Sequence, residues 1–204
     1  MFAAIAEIVA GPERAAEMAA DHERYSRVAE AHPGLLFKHV MRCSDDERRF
    51  VDVMTCESQA DSEAFGIDPV FQRIRPSRGG PYQPVVPERS WMNPGYYRNQ
   101  DAVVRDCEAI TRQVVGYFHA AHGREQEFAA RSARFAAELA AGTQPIGFWS
   151  FVNLGLPEWW CLVLQRDDAA AGLLPGDFTE LCSVAPTLDV GDLVMRFDRP
   201  QARS

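Results

Sequence analysis

Phe2–Val9 is a short apolar run broken by Glu7, and it reads as a strand. Gly11-Pro12-Glu13 then opens a helix, with proline where a missing N–H is tolerated. Its charged side carries Glu13, Arg14, Glu17, Asp21, Arg24 and Arg27. Its other face carries Ala15, Met18, Ala19, His22, Tyr25, Ser26 and Ala29. His32-Pro33-Gly34 ends the helix. Leu35–Cys43 and Arg48–Thr55 flank the polar cluster Ser44-Asp45-Asp46-Glu47, which predicts an antiparallel hairpin. Ser58–Phe65 reads as a second, short helix. A Pro-, Gly- and Arg-rich loop over Arg75–Pro87 leads to a closing strand near Val85–Trp91.

The same order returns at Arg112–Ala120, Glu125–Ala141, Ile146–Asn153, Trp159–Gln165 and Asp168–Leu174, with a closing strand at Val190–Phe197 and a tail at Asp198–Ser204. Gly11 and Gly123 lie 112 residues apart, Gly34 and Gly147 lie 113 apart, and Asp68 and Asp177 lie 109 apart. So long a period points to a duplicated domain rather than a solenoid. The expected fold class is therefore α+β: tandem ferredoxin-like βαββαβ repeats forming an intramolecular α+β barrel, two four-stranded sheets face to face with helices outside. Residues 1–92 form the first half, 93–109 a linker containing Asn93–Asp101, and 110–204 the second half.

A formal charge of −8 argues against general nucleic-acid or anionic-membrane binding. Five cysteines (Cys43, Cys56, Cys107, Cys161, Cys182), none in a CxxC, fit a reduced cytoplasmic protein. Neither a secretory leader nor a membrane-length apolar run is apparent. Lys38 is the sole lysine among 21 basic residues.

The run Phe50-Val51-Asp52-Val53-Met54-Thr55-Cys56-Glu57-Ser58, then Ala64-Phe65 and Asp68-Pro69-Val70-Phe71, resembles the antibiotic biosynthesis monooxygenase-like family of dimeric α+β barrels. Pro33-Gly34-Leu35 fits the same pattern. The resemblance covers residues 2–75 by motif and 110–197 by element order alone. It implies a small pocket between sheet and helices, in a family of cofactor-independent oxygenases of aromatic polyketides, haem-degrading oxygenases, isomerases and cyclases. The family's third-strand Trp falls at Cys56, and Gln72-Arg73-Ile74-Arg75 stands where a haem-ligating His would follow.

Centring the hairpin turn on Asp45-Asp46 opposes Cys43 to Arg48, Met41 to Phe50, His39 to Asp52, Phe37 to Met54 and Leu35 to Cys56. Opposed side chains share a face, with Cβ atoms roughly 4.5–5.5 Å apart. On this register His39 and Asp52 form an imidazole–carboxylate pair in an apolar surround, and Lys38, Arg42 and Arg49 take the other face. The pair serves either proton transfer, with Asp52 orienting His39, or its own mutual satisfaction. A slip of one residue would destroy it. His22 and Tyr25 are expected to approach the sheet as ligand hydrogen-bonders or as ordinary packing. Trp91 and Phe37 are expected to stack on substrate rings, with Met54 and Cys56 lining the same pocket.

The second half has aromatic residues in place of an ionisable pair and reads as scaffold. His119, His122 and Glu125 straddle a helix start and share no common face, so no metal site is expected.

The functional expectation is an oxygenase of a polycyclic aromatic intermediate. His39 and Asp52 would deprotonate the substrate, which then reacts with O2 directly or with a reduced flavin supplied by a partner reductase. A cyclase or isomerase working without O2, and a noncatalytic binding barrel, are the alternatives. The chain is expected as a monomer or homodimer, without nucleic-acid or membrane partners.

Overall fold

The computed structural model describes residues 1–9, 28–29, 31–69, 83–84, 95–168, Leu174 and 176–199. Its elements are β1 (Phe2–Val9), β2 (Leu35–Cys43), β3 (Arg49–Cys56), α1 (Gln59–Ile67), β4 (Gln83–Pro84), β5 (Gly95–Arg105), β6 (Arg112–His119), α2 (Glu125–Ala141), β7 (Ile146–Asn153), β8 (Trp159–Gln165), a 3-10 helix (Gly176–Leu181) and β9 (Thr187–Asp198). The order of the described elements is compatible with the expected ferredoxin-like one, β6–α2–β7–β8–3-10 helix–β9 in the second half and β1, β2, β3, α1, β4 in the first. Among the described residues, no helix is long and apolar enough to cross a membrane.

The chain divides into two compact units, residues 1–96 with 193–204, and residues 97–192. In the first, β1 and β2 pair with β3 from either side, and the end of β9 runs beside β2. Pro33-Gly34 brings the chain out of the helical residues Val28, Ala29 and Ala31. Ser58 caps α1 in a reciprocal box with Asp61, so this helix starts at a fixed point behind β3. Val28, Ala29, Leu35, Cys56 and Phe65 form a small core on that side of the sheet, with Met54 and Phe197 against it.

In the second unit the order is β9, β6, β8, β7, β5, each pair antiparallel. One face is filled solidly from α2 and the 3-10 helix. Phe118, Phe128, Phe135, Phe148, Trp160 and Phe178 lie in one buried cluster, with ring centroids of neighbouring pairs 5.0–6.0 Å apart. No ionisable pair crosses its β7–β8 hairpin, where Phe148 opposes Leu164 and Trp149 opposes Val163.

The stretch expected as a linker is mostly the eleven-residue strand β5. The polar run Asn99-Gln100-Asp101 has turn-like chemistry, but it occupies a bulge against β7. Asn99 Nδ2 donates to the carbonyls of Asp101 and Ser150 at 2.8 and 3.0 Å. Asp101 Oδ2 accepts from the hydroxyls of Ser132 and Ser150, both at 2.9 Å. Tyr and Val on either side supply β-propensity. The closing strand expected near Val85–Trp91 and most of the helix expected at Asp168–Leu174 lie outside the described residues.

Candidate functional site

The centre of the hairpin turn, on Asp46 rather than between Asp45 and Asp46, decides which side chain meets Asp52. Leu35 opposes Cys56 as expected. Phe37 then opposes Thr55, Lys38 opposes Met54, His39 opposes Val53 and Val40 opposes Asp52. Leu36 is thus a bulge, and from Phe37 to Arg42 every side chain of β2 takes the face opposite to that expected from the symmetric turn. His39 and Asp52 stand on opposite sides of the sheet, so the expected pair is not formed.

The side of the sheet that carries α1 presents Ala4 and Ala6 from β1, Lys38 and Val40 from β2, and Phe50, Asp52, Met54 and Cys56 from β3. Phe50 and Cys56 are sealed at the two ends. Ala4, Ala6, Asp52 and Met54 between them stay partly open, whereas the alternate residues Ala3, Ile5, Val51, Val53 and Thr55 are closed off completely. Lys38 is only 3% exposed and its ammonium donates to Oδ2 of Asp52. The Asp52 side chain is 20% exposed, and its Oδ1 is shielded from water without a hydrogen-bond partner among the described residues. Such an oxygen is costly to leave unfilled. The result is a shallow strip with an alanine floor, a thioether and one ion pair.

His39 lies on the other face, completely buried, its ring stacked on Phe37 with centroids 4.5 Å apart. Its carboxylate partner is Asp198 at the end of β9, Nε2 to Oδ1 2.8 Å, and Arg196 donates to the other oxygen of that carboxylate. Burial pushes the imidazole below its ordinary pKa more strongly than the Asp198 hydrogen bond raises it, so His39 sits there neutral and donates its N–H. Burial pushes Asp198 up, but donation from His39 and Arg196 outweighs it and holds the carboxyl below its ordinary range. Glu7 and Arg49 share this face in a second buried ion pair at 2.9 Å.

Of the residues expected to line the pocket, Met54 and Cys56 lie on the α1 side and Phe37 does not. His22, Tyr25 and Trp91 lie outside the described residues. Cys56 is packing rather than nucleophile: burial, with help from Asp61, pushes its thiol up to about 11. Sequence reasoning missed Lys38 and Asp198. A lone lysine among arginines, inside an otherwise apolar strand, was the available signal for the first. Asp198 read as tail because its partner is 159 residues away.

Two solved structures cover nearly the whole chain. One is a protein of Lactobacillus acidophilus provisionally designated a monooxygenase, with a TM-score of 0.75 at 8% identity over 97% of this chain and 95% of that one. The other, from Fusobacterium nucleatum and of the same designation, gives 0.74 at 10% over 97% and 94%. The chain shares the fold of these two proteins. An anthrone oxidase-like protein also matches, with a TM-score of 0.58 at 13% identity over 97% of this chain and 92% of that one. No family model matches the sequence, and no curated protein does.

Proposed function

We propose that the protein is an oxygenase of a planar, electron-rich aromatic compound, bound on the Ala4–Ala6–Met54 strip and activated by Asp52 and Lys38. The observation that carries this reading is the unpartnered Oδ1 of Asp52 beside a buried ammonium on the partly open side of the sheet. The monooxygenase-type fold and the likeness to an anthrone oxidase-like protein support the substrate class.

The alanines leave room for a flat ring system. The Met54 thioether suits its edge. Asp52 accepts a proton from an activated ring C–H or phenol, and the Lys38 ammonium stabilises the negative charge that develops on the adjacent oxygen. Burial of the Lys38 ammonium and of Asp52 Oδ1 keeps water from the reacting groups, which protects the carbanion from reprotonation. The carbanion then reduces O2 by one electron. The resulting radicals combine into a C–O bond, and the hydroperoxide loses water to leave a carbonyl: a ring CH2 and O2 become C=O and H2O. In this account Asp52 takes over the role expected of His39, which is sealed on the far face.

The test is aerobic and anaerobic incubation of purified protein with a panel of anthrones and polycyclic phenols. One O2 consumed per quinone formed is expected, with no turnover in oxygen-free buffer. Product formation without oxygen would overturn the reading in favour of a cyclisation or isomerisation.

A further inference from the structure

Lys38 and Asp52 carry one charge of each sign, and proton transfer to the acid removes one of them. Lys38 is only 3% exposed, and its ammonium donates to Oδ2 of Asp52. The other oxygen, Oδ1, is shielded from water and has no hydrogen-bond partner among the described residues. A proton taken from substrate therefore lands on Oδ1, since Oδ2 is turned to the ammonium. The carboxyl group keeps its place, with Oδ2 still accepting from Nζ as a carbonyl oxygen. Its charge and polarity change. The ammonium loses the negative charge of the carboxylate facing it, and Oδ1 turns from acceptor into donor. Removing the counter-charge of a buried cation is costly. A small anion set against the N–H and O–H donors together relieves that cost. Room for it lies on the β1 side. Asp52 stands between Val40 of β2 and Ala6 of β1, and Ala6 puts only a methyl group beside the carboxyl. Both Ala6 and Asp52 are partly open, so this side of the acid is reachable.

We infer that proton transfer to Asp52 creates an anion site between Lys38 Nζ and the Asp52 O–H, and that superoxide and then the peroxide anion occupy it. The inference rests on the oxygenase reading of this strip. The carbanion passes one electron to O2, and the superoxide formed meets the ammonium. Radical coupling forms the C–O bond and leaves the negative charge on the outer oxygen. That oxygen takes the proton from Oδ1, which restores the Asp52 carboxylate, and the hydroperoxide then loses water to give the carbonyl. The site exists only while Asp52 is neutral, so the resting protein holds no anion there.

Because Lys38 is the sole lysine, protein labelled with 13C,15N-lysine gives a single side-chain signal. Asp52→Asn reproduces the protonated acid, with a carbonyl oxygen for Nζ and an N–H in place of the O–H. Azide, a small linear monoanion, is the probe, with potassium glutamate holding the ionic strength constant. In Asp52→Asn protein, azide is expected to move the Lys38 signal to saturation. In wild-type protein the signal is expected to stay in place, because the carboxylate already neutralises the ammonium. An unmoved signal in the Asp52→Asn protein, or equal titration of the two proteins, would overturn the site.

Should Asp52→Asn fail to fold, Lys38→Met provides the second arm. Its kcat/KM for O2 is expected to fall about 10²–10³-fold, the usual worth of one donor to a developing oxyanion. That fall comes on top of any change in the anaerobic exchange of substrate ring hydrogen into D2O. Equal falls in exchange and in O2 reaction would assign Lys38 to proton transfer alone and overturn the inference. Absence of exchange in wild-type protein would instead sink the oxygenase reading, while the azide titration decides the anion site by itself.

Discussion

Lys38 donates to Asp52 diagonally across the β2–β3 hairpin, on the side of the sheet that carries α1, while its chain neighbour His39 points the other way and is held by Asp198. Two adjacent residues therefore carry separate ion-pair chemistry on separate faces. Each pair buries its cation or imidazole and leaves its carboxylate partly exposed, Asp52 by 20% and Asp198 by 33%.

The buried imidazole makes stability depend on pH with a definite sign. Burial holds His39 below the ordinary histidine value of 6.5. As pH falls through that value the unfolded chain takes up a proton that the folded chain refuses. Stability should therefore fall below pH 6.5, by up to about 1.4 kcal/mol per pH unit until the depressed folded value is reached, and be unaffected by this group above 6.5. Asp198 titrates in a lower window, since its folded pKa is held beneath the ordinary 3.8. Denaturant midpoints of wild type and His39→Gln, compared from pH 5 to 8, should converge in slope above 6.5 and diverge below it. Parallel curves throughout would contradict the assignment.

Cys56 should be inert in the native protein. A thiol pushed up to about 11 is only about a thousandth thiolate at pH 8. Iodoacetamide at pH 8, followed by peptide mass mapping, should leave Cys56 unmodified in folded protein and modify it in denaturant. Rapid native labelling would show a more open or more acidic thiol than its surroundings allow.

The hairpin itself was legible in the sequence, with both strands flanking the polar cluster, but the turn centres on Asp46 rather than between Asp45 and Asp46, since Arg42 opposes Phe50 and Val40 opposes Asp52. What failed was parity. From the turn to Phe37–Thr55 the pairs run one residue off the symmetric register, and only the Leu36 bulge brings Leu35 back opposite Cys56. Nothing local in Leu35-Leu36-Phe37 announces a bulge. The carbonyls of Leu35 and Leu36 accept from Nε and the backbone N–H of Arg199, and the alternation of β2 cannot reveal a partner so distant in sequence. The imidazole–carboxylate pair was likewise anticipated in kind, with the wrong acid. Strand β5 was mistaken for a linker because Asn99-Gln100-Asp101 has turn composition, and only the hydroxyls of Ser132 and Ser150 explain how it stays extended. The aromatic character of the second half, by contrast, was plain in the sequence, and Phe128, Phe135, Phe148 and Trp160 pack in one buried cluster.

Gly34 is required by close approach. A Cβ there would lie 2.2 Å from Cγ of Asp61, the residue that completes the α1 capping box. Gly34→Ala should displace Asp61 and cost about 1 kcal/mol or more, the usual worth of a lost cap. Thermal unfolding of Gly34→Ala beside Asp61→Ala checks this. Destabilisation by the glycine variant that persists in full when Asp61 is already alanine would place the clash elsewhere.

Filling of the second unit should be correspondingly expensive to undo. Phe128 is fully buried among Phe118, Trp160 and Phe178. Phe128→Ala should therefore cost roughly 3–5 kcal/mol. A loss below 1 kcal/mol in urea unfolding would mean that the cluster is looser than its geometry.

The most direct test of the proposed activity is O2 uptake by Asp52→Asn protein, measured against wild type with a saturating anthrone. A carboxylate acting as the proton acceptor accounts for about 10²–10⁴-fold in rate, so uptake should fall by at least a hundredfold while anthrone binding persists. Wild-type oxygen uptake by the Asp52→Asn protein would contradict the account at its centre.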